Sequence, residues 1–101
     1  MNTNNPVNNY NPDDYKFETI SEFKKYFTAC PELGFEYNAT EYFIDRIDYD
    51  RFELFDISKQ TTVAENLTME QLLDFEIDGV KMRDFIATDD VMITNRPGAS
   101  F

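Results

Sequence analysis

Hydrophobic positions first take up a helical rhythm near residue 20. Ile20, Phe23, Phe27 and Cys30 fall at steps of three, four and three, which sets them on one face of a helix. Lys24 and Lys25 lie on the other side. Thr19-Ile20-Ser21-Glu22 has capping-box spacing: the Thr19 hydroxyl accepts from the Glu22 amide, and the Glu22 carboxylate reaches back. Pro31 stops the helix. From residue 33 to residue 64 the rhythm changes to that of strands. Leu33–Tyr37, Glu41–Ile47 and Phe52–Ile57 are rich in Phe, Ile and Tyr. Asn38-Ala39-Thr40, Asp48-Tyr49-Asp50 and Ser58-Lys59-Gln60 read as the breaks between strands. Thr61–Ala64 is a short last strand of this antiparallel meander.

The alternation within the meander is two-sided. On the third strand Phe52 and Leu54 share one face, while Phe55 and Ile57 share the other with Arg51 and Glu53. We therefore expect one face to meet helices and the other to form a partly exposed aromatic and acidic surface. Further on, Thr68-Met69-Glu70-Gln71 repeats the capping-box spacing ahead of Leu72 and Leu73. Asp78-Gly79 is a turn signal between short helices, the second carrying Val80, Met82, Phe85 and Ile86. Val91–Ile93 is a candidate terminal strand. The pattern predicts an α+β fold: a single small domain over residues 17–94, with an antiparallel sheet of three to four strands packed by two or three short helices. Residues 1–16, rich in Asn with Pro6 and Pro12, read as a flexible arm, and residues 95–101 as a loose tail.

Composition agrees with a folded domain. The chain has 101 residues, 42% of them apolar and 16% aromatic, which is too rich for a disordered chain. Charge changes the picture more. Twenty acids face nine bases, for a net charge of -11. Residues 32–90 alone carry 16 of those acids and five bases. Such a field repels nucleic acid and anionic membranes and attracts basic surfaces. The single cysteine, Cys30, rules out an internal disulfide, and its place before Pro31 suits a small packed hydrophobe. MNTNNPVNNY has neither a basic region nor an apolar run, so no signal peptide is expected. No apolar stretch approaches a membrane span. The expected compartment is the cytoplasm. The Asn38 and Asn66 sequons are then chance matches.

Catalytic chemistry finds little support. The absence of histidine removes Ser-His and Cys-His pairs and the commonest general base. Among so many acids, a close carboxylate pair carries no signal. Zinc lacks its usual ligands. Asp74-Phe75-Glu76-Ile77-Asp78-Gly79 matches the opening of an EF-hand loop, but its twelfth position is Phe85 where a bidentate Glu belongs. The simpler reading of Asp78-Gly79 is a turn. Gly34, Gly79 and Gly98 are too far apart to cradle a phosphate. We expect no cofactor, no metal site and no enzyme.

What remains is the acidic hairpin YFIDRIDYDRFELFDI, Tyr42 to Ile57. Solubility and edge protection are its plain meaning. Its functional reading is a negative surface for a basic groove, built from Asp45, Asp48, Asp50, Glu53 and Asp56 with Tyr49 as an aromatic anchor. A groove that holds phosphates would accept carboxylates without base readout.

A small acidic chain with this layout, including the segment LTMEQLLDFEIDGVKMRDFI, resembles phage-encoded and mobile-element inhibitors of the anti-CRISPR or DNA-mimic type. The resemblance is one of size, charge and element order, and carries over no functional residues. It implies a non-enzymatic inhibitor acting in the host cytoplasm on the nucleic-acid groove of an enzyme, first of all a Cas nuclease. The alternatives are an acidic accessory or immunity-type protein whose basic partner has no nucleic-acid role and, in a third class, a small metal-dependent enzyme.

Overall fold

The computed structural model describes residues 16–95. Residues 1–15 of the expected arm (1–16) and residues 96–101 of the expected tail (95–101) lie outside them. The elements run α1 (Ile20–Ala29), β1 (Glu32–Tyr37), β2 (Thr40–Asp48), β3 (Arg51–Asp56), β4 (Thr61–Leu67), α2 (Met69–Asp74), β5 (Glu76–Ile77), β6 (Val80–Lys81), α3 (Met82–Phe85) and β7 (Val91–Asn95). The fold is α+β and mostly sheet.

Both capped helices begin where their side chains dictate. The Glu22 amide donates to Thr19 Oγ1 at 3.1 Å. Glu22 reaches back one residue beyond the cap, accepting from the Glu18 amide at 2.6 Å. At α2 the box is reciprocal: the Gln71 amide donates to Thr68 Oγ1 at 3.1 Å, and the Thr68 amide to Gln71 Oε1 at 2.9 Å. Orphan amides at each helix start are thereby satisfied. The α1 face is as the spacing requires: Phe23 and Phe27 are buried, Ile20 and Cys30 half-buried.

The main sheet has five strands in the order β4-β3-β2-β1-β7, all antiparallel. The expected meander is present, and β7 returns to pair with the open edge of β1, which adds the strand beyond the expected three to four. The last meander strand is also longer than Thr61–Ala64, continuing to Leu67. Asn66 takes a positive φ of 59° there, a conformation Asn tolerates better than most residues. The β1–β2 turn places Asn38 and Ala39 at φ 52° and 62°. This double left-handed turn matches the strand twist, though Ala at the second position is strained where Gly is the usual choice. Asp78-Gly79, at φ 55° and 82°, is the same kind of turn. It joins β5 to β6 in a small hairpin, not two helices, and Val80 belongs to that hairpin.

Helices and small hairpin share one side of the sheet. Leu33, Phe35, Tyr37, Tyr42, Ile44, Phe52, Leu54, Val91 and Ile93 point to that side and are buried. Phe27 meets Phe52 edge-on at 5.2 Å, and Phe85 of α3 stacks on Tyr37 at 3.9 Å. Tyr26 Oη donates to the Glu32 carbonyl at 2.6 Å, and Arg46 Nη1 donates to the Phe27 carbonyl. Arg46 thus brings to the end of α1 the positive charge that the helix's own last turn lacks. On the outer surface Lys24 of α1 pairs with Glu70 of α2 at 2.9 Å. Arg83 of α3 pairs with Glu70 at 3.1 Å and with Asp74 at 2.8 Å. One network ties the three helices together.

Candidate functional site

The other side of the sheet follows from the strand register. Glu32 lies opposite Asp45, and Asp45 opposite Glu53. Two residues along, Gly34 lies opposite Phe43, Phe43 opposite Phe55, and Phe55 opposite Thr62. Two further along, Met92 lies opposite Glu36 and Glu36 opposite Glu41. Side chains in such a row share one face. The face therefore carries an acidic row of three, an aromatic row, and a second acidic row bordered by Met92.

Among the described residues no helix packs on this face. Phe43, Phe55 and Ile57 stand outside the hydrophobic core cluster and are half-buried, and Met92 is 50% exposed. Neither Phe43 nor Phe55 is in ring contact with another described aromatic, whereas rings on the helix side touch in series. The five acids, Glu32, Glu36, Glu41, Asp45 and Glu53, make no ion pair with a described residue. Their one side-chain hydrogen bond is a long one, from Thr62 Oγ1 to Glu53 Oε2 at 3.4 Å. Directly opposed carboxylates lie about 5 Å apart at Cβ and repel. No described cation is close enough to form an ion pair with any of them.

The residues expected to form one patch separate into three places. Asp45 and Glu53 are on the open face as neighbours. Asp48, Tyr49 and Asp50 sit at the β2–β3 turn, where Tyr49 is 91% exposed. Asp48 Oδ1 accepts from the Tyr49 amide at 2.7 Å, and Asp50 Oδ1 accepts from the Met69 amide at 3.1 Å. Tyr49 and Asp50 also line a cleft of about 470 Å³ with Lys24, Phe27, Arg46, Phe52 and Met69, on the helix side. Asp56 corrects the expectation outright. It is 5% exposed and points inward with Phe52 and Leu54, where its Oδ1 accepts from the Lys59 amide at 2.8 Å and closes the β3–β4 turn. Burial first, and then the Asp56 carboxylate, hold the phenol of Tyr42 above its usual value. Asp56 is a structural acid.

Glu32, Glu36, Glu41, Phe43 and Phe55 were absent from the expected site. Their alternation with Leu33, Phe35, Tyr42, Ile44 and Leu54 was the available signal. It becomes decisive only when the pairing of the strands is known.

The EF-hand-like segment is used in other ways. Asp74 ends α2 and accepts from Arg83 Nε at 2.8 Å, and Phe85, at the twelfth position, is 1% exposed in the core. Among the described residues no group of three or more metal-ligating side chains gathers. No described helix is long and apolar enough to cross a membrane. Comparison of the chain with protein-family models, with curated proteins and with solved structures returns no match.

Proposed function

We propose that the protein is a non-enzymatic inhibitor that lays its acidic sheet face into the basic groove where a host enzyme holds nucleic acid, in the host cytoplasm, with a Cas nuclease the first target to test. The observation that carries this reading is the pair of carboxylate rows on the sheet that form no ion pair with any described residue. Within a row, adjacent acids are about 5 Å apart, and the two rows are separated by four residues of strand, about 14 Å. That separation is on the scale of the B-DNA major groove, about 12 Å wide between its phosphate walls. A groove lined with Arg and Lys recovers on binding the repulsion energy stored in the free protein. Phe43, Phe55 and Met92 between and beside the rows supply apolar area that slows dissociation.

A competition measurement tests the proposal. Guide-loaded Cas nuclease, and other nucleic-acid enzymes captured by the protein, are titrated with labelled nucleic acid at rising protein concentration. The expected result is displacement that weakens steeply with salt and is lost when Asp45 and Glu53 are both changed to Lys. Simultaneous binding of protein and nucleic acid at undiminished affinity overturns it, and leaves a basic partner with no nucleic-acid role.

A further inference from the structure

Resting on that reading, we infer that the open face is built for arginine, so that the docking residues of the partner are chiefly arginines rather than lysines. A lysine ammonium needs only negative charge, and any exposed acid of this protein offers that. A guanidinium is planar, donates in a fixed fork, is weakly hydrated and stacks on aromatic rings. The face offers each of these complements at once. Phe43 is flanked along β2 by Glu41 and Asp45, and Phe55 is flanked along β3 by Glu53. Neither ring is held by another described aromatic. The strand neighbour of Phe43 on the β1 side is Gly34, which brings no side chain to cover it. A guanidinium laid on either ring has a carboxylate two residues away along the strand, about 7 Å at Cα and within reach of its fork. The two rings are direct cross-strand partners, so two arginines fit side by side. The charge of the occupant follows from the five acids that pair with no described cation, and its planarity from the two half-buried rings.

The test uses the full chain with oligoarginine and oligolysine peptides of equal length at physiological ionic strength, read by fluorescence anisotropy. Oligoarginine is expected to bind at least about fivefold tighter, the scale of one cation–π contact. Phe43→Leu and Phe55→Leu are expected to weaken oligoarginine more than oligolysine and so to remove that preference, with circular dichroism reporting that the fold is kept. Amide resonances of residues 43–45 and 53–55 should shift with oligoarginine, and those of Asp74 and Arg83 should not. Equal affinity for the two peptides, or a preference that survives both Leu variants, overturns the inference. Asp45→Asn gives a second route that spares the rings: it should weaken oligoarginine more than oligolysine, and an equal loss counts against arginine selectivity. The outcome is separable from the competition result. An arginine preference can fail while the face still displaces nucleic acid, and can hold for a partner that binds none.

Discussion

On the helix side of the sheet, Phe27 meets Phe52 edge-on and Phe85 stacks on Tyr37. On the open side, Phe43 and Phe55 face each other across the same strands without any helix above them. Acids divide the same way. Asp56, pointing inward, is spent on closing a turn, and Glu70 and Asp74 above the helices are bridged by Lys24 and Arg83. Glu32, Asp45 and Glu53, pointing outward, lie opposite one another and form no ion pair with a described residue. The same residue types thus stabilise one face and load the other. A surface selected for solubility alone would scatter its charges and avoid opposing like with like across strands. The open face instead concentrates them around two rings.

The largest expected effect sets one ring against another. Phe27→Ala removes a buried side chain that touches Phe23, Tyr26 and Phe52, and should cost about 3–5 kcal/mol. Phe43→Ala removes a half-buried ring outside the core and should cost about 1 kcal/mol or less. Denaturant unfolding of both variants measures the difference. Similar losses would mean that the open face is core after all.

Next comes a comparison of two aspartates. Asp56→Ala removes the buried carboxylate that accepts from the Lys59 amide and closes the turn, at a cost of about 1–3 kcal/mol. Asp56→Asn keeps an acceptor oxygen and should recover most of it. Asp45→Asn has the opposite sign: it removes the middle charge of the Glu32–Asp45–Glu53 row and should stabilise by about 0.2–1 kcal/mol, with the gain shrinking as salt rises. A loss on Asp45→Asn would show that the row is held by something the strand register does not reveal.

These aspartates also mark where the sequence stopped being legible. The caps at Thr19 and Thr68, the buried pair Phe23 and Phe27, and the fold class follow from local spacing, because caps and helical faces are settled within one or two turns. Asp56 shares its parity with Phe52 and Leu54, which places it inside. Its company in the string, though, is a run of acids that reads as one surface. Asp48 and Asp50 share the parity of Tyr42 and Ile44, not that of Asp45, and the pairing slips between Arg46 and Asp48 at that end, so the turn acids do not continue the open-face row. Glu32, Glu36 and Glu41 gain their meaning from pairing β1 with β2, and Met92 gains its own from the return of β7 to β1. That last contact joins residues more than fifty positions apart, and no local pattern announces it.

The smallest effect concerns pH and sharpens the contrast between paired and unpaired acids. The Lys24 ammonium and the Arg83 guanidinium hold the Glu70 carboxyl below its usual value, and Lys16 does the same for Asp89. A carboxyl depressed in the folded state releases its proton more readily there than in the unfolded chain. Its stabilisation is therefore present above the unfolded value of about 4.3 for Glu and 3.9 for Asp, and is lost as pH falls through the folded value. Glu70→Gln should accordingly lower the melting temperature slightly at neutral pH. The gap to the unmodified protein should close as the solution is acidified below about pH 4. Both groups are exposed, so the gap is small and salt reduces it. Glu53→Gln, on the open face, removes a charge that forms no ion pair with a described residue and should show no such gap, or a gap of the other sign. A Glu70→Gln gap that persists unchanged into acid would assign its effect to side-chain packing in the helix layer, and the division into bridged and unbridged acids would then lose its energetic meaning.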